Sequence, residues 1–372
     1  MKLTPSGFVK YIYGLAKARS FPPGKLILGG DHLGPHVWQN QNAVAAMQKG
    51  CILVRDYVRA GYSKIHLDAS MRCADDDPHR SLPTSLIAQR TAQLAQAAET
   101  AYAENPARIA PMYVIGTEVP TPGGALAINQ TDKISTPDET DETIESTRLA
   151  FGKLGLQAAW ERVMAVVVRP GVEFDNTTVQ VYNPARVDPL RKFIEGQAGM
   201  VFEAHSTDFQ PFSALHQMVK DHFAIVKVGP QLTFALREAL FALEQIEQEL
   251  LWGQQKDNIS GLTLVLDKVL ANEPQHWHNH FSGNFVSNRL AIRYGYSDRL
   301  RYYWSYSEVN AAVERLLHNL EAHPVPESLL RQYLPNQFEC IQQGNLVSKP
   351  QSLISAKIRE VLQLYAKACG IS

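Results

Sequence analysis

Residues 26–35 read Leu26-Ile27-Leu28-Gly29-Gly30-Asp31-His32-Leu33-Gly34-Pro35. The apolar residues that open this stretch predict a short strand buried on both faces, as in a parallel sheet. The two glycines allow a tight turn or the close approach of a ligand, and Pro35 cannot continue the strand. We therefore expect Asp31 and His32 at the carboxyl end of a strand, where α/β barrels keep their chemistry. The alternative is that Asp31 caps the following helix and that His32 is a polar residue with satisfied hydrogen bonds.

The composition describes a protein of balanced charge. The chain has 372 residues, 45% of them hydrophobic, with 36 basic and 37 acidic side chains and a formal net charge of −1. This balance argues against nucleic acid or an anionic membrane as partner, and no apolar run is long enough to span a bilayer. The four cysteines lie far apart, without a metal-type pair or a disulfide framework. We interpret the chain as a reduced cytoplasmic protein, large enough for one α/β barrel with an appendage or for two ordinary domains.

A strand, a polar loop and a helix follow one another six times in the first part of the chain. This alternation is typical of βα units around a parallel sheet. The predicted strands cover residues 26–28, 64–70, 112–115, 163–168, 200–204 and 224–228. After about residue 252 the alternation stops, and the remaining sequence indicates helices and aromatic-rich loops. We predict a barrel over residues 1–251 and a C-terminal helical extension, residues 252–372, packed on the barrel.

The number of strands leaves two architectures open. A closed (β/α)8 barrel needs eight strands, whereas six are visible and the chain opens with a helix at Thr4-Pro5. Either the sheet is open and doubly wound, or two strands are missing in front of the first helix.

Acidic, histidine and serine side chains gather where five of the six predicted strands end. They are Asp31, His32, Asp68, Ser70, Glu118, Glu173, His205 and Asp208. A single acid at such a position is usually a helix cap, but the recurrence favours a shared site. Two imidazoles with one carboxylate suit zinc with an open coordination position, and the other carboxylates could act as general acid or base. A divalent ion in an open site polarises a carbonyl group and stabilises an enediolate, as aldol cleavage or proton removal beside a ketone requires.

Two stretches in the C-terminal part carry weaker signals. Residues 276–280 read His-Trp-His-Asn-His, so His276 and His280 would share a helical face and could bind a metal; a solvated surface cluster is the favoured interpretation. Arg299 and Arg301 lie among aromatic side chains, which favours a packing or subunit contact, although either could reach a sugar phosphate. The motifs GxxxxGK(S/T) and GxGxxG are absent from the sequence, which argues against a P-loop kinase and a Rossmann dehydrogenase.

Seven motifs spread over nearly the whole chain form a specific combination. They are Gly29–Pro35, Lys64–Met71, Val114–Pro120, Arg169–Phe174, Phe202–Asp208, Lys227–Pro230 and Asp298–Trp304. This set resembles the GatZ/KbaZ family, the second, non-catalytic subunit of class II D-tagatose-1,6-bisphosphate aldolase in galactitol or N-acetylgalactosamine breakdown. The resemblance implies a TIM-type (β/α)8 barrel. Members usually carry roughly fifty more residues with two strands before the first helix, which would complete the eight strands of a barrel, so we interpret Met1 as an internal methionine.

The family is similar in turn to the zinc-dependent class II aldolases, which implies roles for individual residues. By this similarity Asp31 matches the catalytic acid/base, and Glu118 falls in a Gly-x-x-Glu loop. His32 and His205 match zinc ligands. Where those aldolases place a further zinc histidine, this chain has a stretch that contains Glu173. We therefore expect no three-histidine site, with Glu173 as the replacement ligand.

The loops that would hold a phosphate differ from those of the aldolases. After the last zinc histidine the aldolases carry a glycine-rich phosphate cradle, whereas this chain has Ser206-Thr207-Asp208 and, in the next loop, Pro230. The carboxylate of Asp208 adds negative charge and Pro230 removes a backbone donor, so both changes weaken phosphate binding.

These patterns and the resemblance predict three sets of site residues. The predicted catalytic residues are Asp31, Asp68 and Glu118. The predicted ligands of one divalent metal ion, zinc, are His32, Glu173 and His205. The predicted substrate contacts are Ser70, Asp208, Lys227, Arg299 and Arg301. The expected substrate is a ketohexose or its phosphate.

Three functions are compatible with these predictions. The first is an accessory subunit that joins the class II aldolase catalytic subunit in an oligomer and stabilises it, which explains the altered phosphate loops. The second is an autonomous metal-dependent ketohexose 4-epimerase that interconverts fructose and tagatose by a retro-aldol route, which explains why polar groups are retained at the strand ends. A tagatose-6-phosphate kinase, a label that family members often carry, ranks last because a nucleotide-binding motif is absent. We favour the accessory subunit.

Overall fold

The computed structural model describes residues 3–106, 108–117, 133–253 and 259–371. The strands are β1 Gly29–Leu33, β2 Lys64–Leu67, β3 Met112–Ile115, β4 Val163–Val167, β5 Glu173–Phe174, β6 Val179–Gln180, β7 Val201–Ala204 and β8 Ile225–Val226. The helices are α1 Pro5–Ala18, α2 Ala43–Ala60, α3 Thr84–Ala103, α4 Pro137–Lys153, α5 Gln157–Trp160, α6 Pro184–Glu195, α7 Phe212–Lys220, α8 Pro230–Leu250, α9 Leu262–Asn272, α10 Phe285–Tyr294, α11 Ser307–Ala322, α12 Glu327–Tyr333, α13 Pro335–Gln342 and α14 Pro350–Ala368.

Six of the strands form one parallel sheet, the main sheet, in the order β1-β2-β3-β4-β7-β8. At least one helix joins each of these strands to the next, which is the βα alternation that the sequence predicts. Strands β5 and β6 form a separate antiparallel hairpin between β4 and α6. The α/β fold with six parallel strands is therefore confirmed, and the closed eight-stranded barrel stays a prediction.

The first strand differs from its prediction. Instead of ending at the two glycines, β1 begins with them and contains Asp31 and His32. Gly30 fits there because an added Cβ atom would lie 2.6 Å from Leu33 and 2.7 Å from the ring of Tyr57. His32 has a φ of 51°, and the register between β1 and β2 shifts just before Leu33. Such an irregularity re-aims side chains, and here it affects the residue predicted to bind metal.

Local sequence signals set several helix ends. Thr4 caps α1 by accepting a hydrogen bond of 3.1 Å from the backbone N–H of Gly7. Helix α2 ends at Gly61, whose φ of 96° suits glycine. Helix α4 begins at Pro137, where Thr136 and Glu139 form a capping box.

The two largest clusters of buried apolar side chains lie around the main sheet and among the later helices. The first runs from Leu28 to Phe223, and the second joins α8 to the helices that follow it. Helix α14 packs back on α7 and α8, so the later helices contact the sheet region. The predicted domain boundary at residue 251 stays a prediction. Among the described residues, no helix has both the length and the apolar character needed to cross a membrane.

The main sheet is strongly curved. Lys64 on β2 and Glu203 on β7 are three strand spacings apart in the sheet order, roughly 14 Å in a flat sheet. Their side chains nevertheless form an ion pair of 2.6 Å. The carboxyl ends of the strands therefore curl toward one another, and side chains from both halves of the sheet meet there.

Candidate metal centre

Three histidines from different strands converge at the carboxyl ends of the main sheet. His32 lies on β1, His66 lies on β2, and His205 follows β7 directly. The ring centroid of His32 is 5.1 Å from that of His66 and 5.1 Å from that of His205, and the last two are 5.6 Å apart. One ligand nitrogen from each ring lies within 4.8 Å of the other two. A group of imidazoles at this spacing could hold a metal ion.

His66 is fully buried. Its Nδ1 accepts a long hydrogen bond, 3.4 Å, from the backbone N–H of His32, and its Nε2 has no hydrogen-bond partner in the described part of the chain. Burial lowers the pKa of His66 to about 3, against the opposing charges of Asp68 and Glu203. The ring is therefore uncharged at neutral pH, which is the state that binds metal ions. A buried polar nitrogen without a partner needs an explanation. A metal ligand at Nε2 provides one in the tautomer that carries its proton on Nδ1, where the carboxylate of Asp31 lies 3.8 Å away, in place of the long hydrogen bond from His32.

A carboxylate orients His32. The Nδ1 of His32 lies 2.8 Å from Oδ2 of Asp68, whose Oδ1 accepts hydrogen bonds from the backbone N–H and the hydroxyl of Ser70 at 3.0 and 2.6 Å. Burial raises the pKa of Asp68, but the hydrogen bonds from His32 and Ser70 lower it by more, so the net shift is downward. The charged carboxylate keeps a proton on Nδ1 and leaves Nε2 of His32 with its lone pair. Metal-bound histidines commonly have this carboxylate partner.

His205 lies between a carboxylate and an ammonium group. Its Nε2 is 2.9 Å from Oε1 of Glu203 and 3.0 Å from Nζ of Lys227. A protonated Nε2 donates to Glu203 and leaves Nδ1 with the lone pair, whereas an unprotonated Nε2 accepts from Lys227. Burial lowers the pKa of His205, although the hydrogen bond with Glu203 raises it. This ring, too, is uncharged at neutral pH.

Two lysines neutralise much of the negative charge around the histidines. Nζ of Lys64 lies 2.7 Å from Asp31 and 2.6 Å from Glu203. Nζ of Lys227 lies 3.3 Å from Asp31. Burial raises the pKa of Asp31, but the two lysines lower it by more, and the net shift for Glu203 is also downward. With the imidazoles counted as uncharged, the cluster contains three carboxylates, Asp31, Asp68 and Glu203, and two ammonium groups. Its net charge of one negative unit favours a bound cation.

A second group of potential ligands shares one histidine with the first. It consists of Asp31, His66 and Glu203, again with atoms within 4.8 Å of one another. Both of its carboxylates already form ion pairs with lysines, so a metal ion there would have to displace an ammonium group. The three-histidine group is therefore the better candidate.

The structure brings some of the predicted site residues together. Among them, six lie in or directly against the histidine cluster: Asp31, His32, Asp68, Ser70, His205 and Lys227. Glu118, predicted to be catalytic, lies outside the described residues. The expectation that a three-histidine site is excluded is wrong, because His66 supplies the third imidazole.

Other predicted residues have different surroundings. Glu173, the predicted third ligand, is buried on the hairpin strand β5, where its Oε1 accepts a hydrogen bond of 3.0 Å from the backbone N–H of Phe174. It joins neither ligand group found among the described residues. Asp208, predicted to contact substrate, accepts hydrogen bonds from the backbone N–H groups of Gly229 and Gln231 at 2.9 and 2.8 Å and so caps α8.

Three residues of this cluster, Lys64, His66 and Glu203, are not among the predicted site residues. The signal for them is the period of two in a strand, which puts alternate side chains on the same face. Lys64, His66 and Asp68 alternate with apolar residues along and beyond β2. Glu203 and His205 have the same spacing at the end of β7. A strand interpreted as buried on both faces hides this alternation.

A cleft of 730 Å³ opens beside the cluster, between the loops that follow β2, β3 and β4. Its lining includes Ser70, Arg72 and Arg169. Ser70 also donates to Asp68, the partner of His32. The cleft therefore adjoins the cluster through that carboxylate and has the size of a small-molecule site.

The curved parallel sheet and its helices define an α/β protein. Its candidate small-molecule site lies at the carboxyl ends of the strands, where the imidazoles and carboxylates gather. The comparisons agree with the predicted family. This chain belongs to the GatZ/KbaZ-like family, because the family model for D-tagatose-1,6-bisphosphate aldolase subunit GatZ/KbaZ-like matches residues 1–370.

The similar proteins include aldolase subunits with assigned names and one protein of solved structure. The D-tagatose-1,6-bisphosphate aldolase subunits GatZ of Escherichia coli strains SE11 and K12 are each 47% identical over 368 residues, which covers 99% of this chain and 86% of the relative. The crystal structure of a probable tagatose 6 phosphate kinase from Sinorhizobium meliloti 1021 has a TM-score of 0.87 and 38% identity. The match covers 99% of this chain and 88% of that one.

Proposed function

We propose that this chain is a subunit of a D-tagatose-1,6-bisphosphate aldolase and that it binds one divalent metal ion, zinc, through His32, His66 and His205. Membership in the GatZ/KbaZ-like family supports the first part. The observation that carries the second part is the convergence of three imidazoles with ligand nitrogens within 4.8 Å of one another.

The ligand set suits zinc better than magnesium or calcium. Zinc favours imidazole nitrogen, and three histidines with an open fourth position form a catalytic zinc site, whereas the harder cations prefer oxygen ligands. Asp68 holds His32 as carboxylates hold zinc-bound histidines. When bound there, zinc supplies Lewis-acid polarisation of a carbonyl oxygen.

The groups around the histidines favour chemistry on a ketose. Asp31 is 39% exposed, whereas Asp68 and Glu203 are buried. Its lowered pKa keeps it deprotonated at neutral pH, so it can accept a proton from a substrate hydroxyl. Lys64 and Lys227 lie beside it and could stabilise negative charge on a substrate oxygen. Asp68 is engaged with its neighbours, so we assign it a positioning role instead of the predicted proton transfer.

A second candidate function is favoured by the completeness of this cluster. A subunit that acts only through an interface has no need for buried carboxylates, lysines and histidines at the strand ends, because burying them carries a desolvation cost. The alternative is an autonomous ketohexose 4-epimerase, in which retro-aldol cleavage and re-addition to the other carbonyl face invert one centre. The kinase activity named for the solved relative is least favoured, because the sequence lacks the nucleotide-binding motifs.

We also propose that the main sheet belongs to a (β/α)8 barrel, with two further strands between β8 and β1. The curvature of the sheet supports this, because side chains from its two edges already meet. We propose in addition that the chain acts in the cytoplasm, in an oligomer that contains the catalytic aldolase subunit.

The test mixes the purified chain with a class II aldolase catalytic chain and follows the half-life of aldolase activity during heating. A longer half-life supports the subunit role, and no change at saturating ratios contradicts it. Elemental analysis of the chain purified without chelator tests the metal centre, with about one zinc per chain expected. Turnover of fructose by the chain alone would instead favour the epimerase.

A further inference from the structure

Two arginines and a histidine surround one exposed tyrosine in the segment before α11, and a second histidine contacts one of the arginines. The guanidinium groups of Arg299 and Arg301 lie 5.9 and 4.5 Å from the ring centroid of Tyr302. His276 stacks on the same ring at 5.2 Å, and His280 Nδ1 lies 3.0 Å from Arg299 Nη2. We call these five residues the cationic cluster. His276 and His280 lie in separate 3₁₀ turns, so the predicted shared helical face is wrong.

The charge of Arg299 is not compensated by the described residues. Its Nε is buried without a hydrogen-bond partner in the described chain, and its Nη2 donates to a histidine rather than to a carboxylate. Arg301 donates to the backbone carbonyls of Ser297 and Asp298 and to a tyrosine hydroxyl. Burial lowers the pKa of Arg299, and the charge of Arg301 lowers it as well, against the effect of Tyr302.

Three other arginines show the usual solution for a buried guanidinium. Arg90, Arg237 and Arg293 are each at least nine-tenths buried. Each lies close to a carboxylate, at 2.7, 2.7 and 3.3 Å. These pairs offset the free energy that a cation loses when it is removed from water. Among the described residues, the half-exposed Arg299 has no such carboxylate partner.

The acids near the cationic cluster are engaged elsewhere. The carboxylate of Asp298 pairs with Arg237 at 2.7 Å and accepts a hydrogen bond from Thr233. Asp208 lies in the electrostatic range of Arg301, but it accepts its hydrogen bonds from the backbone at the start of α8. The described residues therefore leave Arg299 without a carboxylate partner, and an anion that reaches it would supply one.

The cationic cluster lies beside loops at the carboxyl ends of the main sheet. The hydroxyl of Ser297 lies 2.5 Å from the side-chain oxygen of Asn176, which belongs to the hairpin after β4. The ring of Tyr296 packs at 4.6 Å on Phe209, which follows β7. The histidine centre is built at the same ends of the same strands.

We propose that Arg299, Arg301 and His280 form a binding site for a phosphate group, carried by a phosphate ester or as inorganic phosphate. A guanidinium presents a planar pair of donors that matches two phosphate oxygens. His280 accepts from Arg299 through Nδ1, so its Nε2–H is available as a further donor. The half-exposed position lets a ligand reach the guanidinium groups. This site goes beyond the proposed metal centre and does not depend on it.

The experiment titrates the full-length chain with inorganic phosphate by calorimetry and compares it with Arg299→Gln. Loss of charge-assisted hydrogen bonds is expected to weaken phosphate binding about tenfold or more. The matched control is Arg80→Gln, because Arg80 is 86% exposed in a loop; its phosphate affinity should equal that of the parent. Arg299→Lys keeps the charge but loses the planar fork, so an intermediate affinity is expected.

A parent chain that binds no phosphate at millimolar concentration, or an Arg299→Gln variant that binds as the parent does, overturns the proposal. If Arg299→Gln does not fold, the NMR signals of the His280 ring in the parent decide: movement on phosphate addition supports the site, and no movement rejects it. Titrations with fructose 6-phosphate and with fructose distinguish a phosphate ester from inorganic phosphate as the ligand. Tighter binding of the ester than of phosphate assigns a sugar phosphate, and equal binding assigns the free ion. The zinc content and the aldolase half-life are read separately, so either proposal can fail alone.

Discussion

The carboxylate of Asp31, on one edge strand of the main sheet, lies 3.3 Å from Nζ of Lys227, which follows the other edge strand. In a flat sheet of six strands the two edges would be roughly 24 Å apart. The contact therefore requires that the sheet close most of a circle at its carboxyl ends. This curvature also brings His32 and His205 together, although β1, which contains His32, and β7, which His205 follows, are far apart in the sheet order.

The first prediction concerns His66, which is not among the site residues predicted from the sequence. His66→Ala should reduce the zinc content of the purified protein from about one per chain to near zero, because two histidines bind zinc much less well than three. Elemental analysis measures this directly. The matched control is His318→Ala, since His318 is exposed on α11. Equal zinc in His66→Ala and parent would remove His66 from the ligand set.

The second prediction tests the partner of His32. Asp68→Asn removes the charge that orients the imidazole at 2.8 Å, so zinc affinity should fall about 10- to 100-fold. Competition with a chromophoric chelator measures the affinity. The control is Asp77→Asn, a half-exposed loop residue of the same connection between β2 and α3. An unchanged affinity in Asp68→Asn would contradict the assigned positioning role.

The third prediction concerns the close approach of Gly34 to the strand beside it. A Cβ atom at Gly34 would lie 1.8 Å from the backbone oxygen of Asp68, so Gly34→Ala must move one of the two segments. Overpacking of this kind costs about 1–3 kcal/mol or more, measured as the free energy of unfolding in urea. Gly14→Ala is the control, because Gly14 lies in α1 with open space around it. There, alanine should stabilise the helix by about 0.5–1 kcal/mol.

The fourth prediction gives a pH dependence that arises away from the histidine centre. Arg90 donates two hydrogen bonds to Asp76, at 2.7 and 2.8 Å, and these bonds hold the pKa of Asp76 below its ordinary value. Asp76→Asn should lower the free energy of unfolding at pH 7 by about 2 kcal/mol or more. In the parent, this contribution is complete above the ordinary pKa of aspartate, about 3.9, and is lost as the pH falls through the lowered value.

The difference between parent and Asp76→Asn should therefore shrink below about pH 4. Urea unfolding at several pH values measures it. Asp188→Asn serves as control, because Asp188 forms exposed ion pairs on α6 and should change stability little. A penalty for Asp76→Asn that stays constant down to pH 3 would show that the ion pair is not its source.

Much of the fold could be predicted because its signals are local. The cap at Thr4, the glycine end of α2 and the alternation of strands with helices depend on neighbours in sequence. The bounds of β1 could not be predicted, because pairing with β2 decides where that strand runs. Residues Asp31 and His32 therefore lie inside a strand that the apolar pattern ends before them.

The candidate site, like the fold, could be predicted from the sequence only in part. The sequence by itself determined the family, the βα order and the presence of His32, Asp68 and His205 near strand ends, since all of these follow from residues within a few positions of one another. Only the tertiary structure decided that His66 is the third imidazole and that Glu173 lies on a separate hairpin. The physical reason is the curvature of the sheet, which brings side chains from distant strands within bonding distance. A local sequence pattern does not encode the distances between strands.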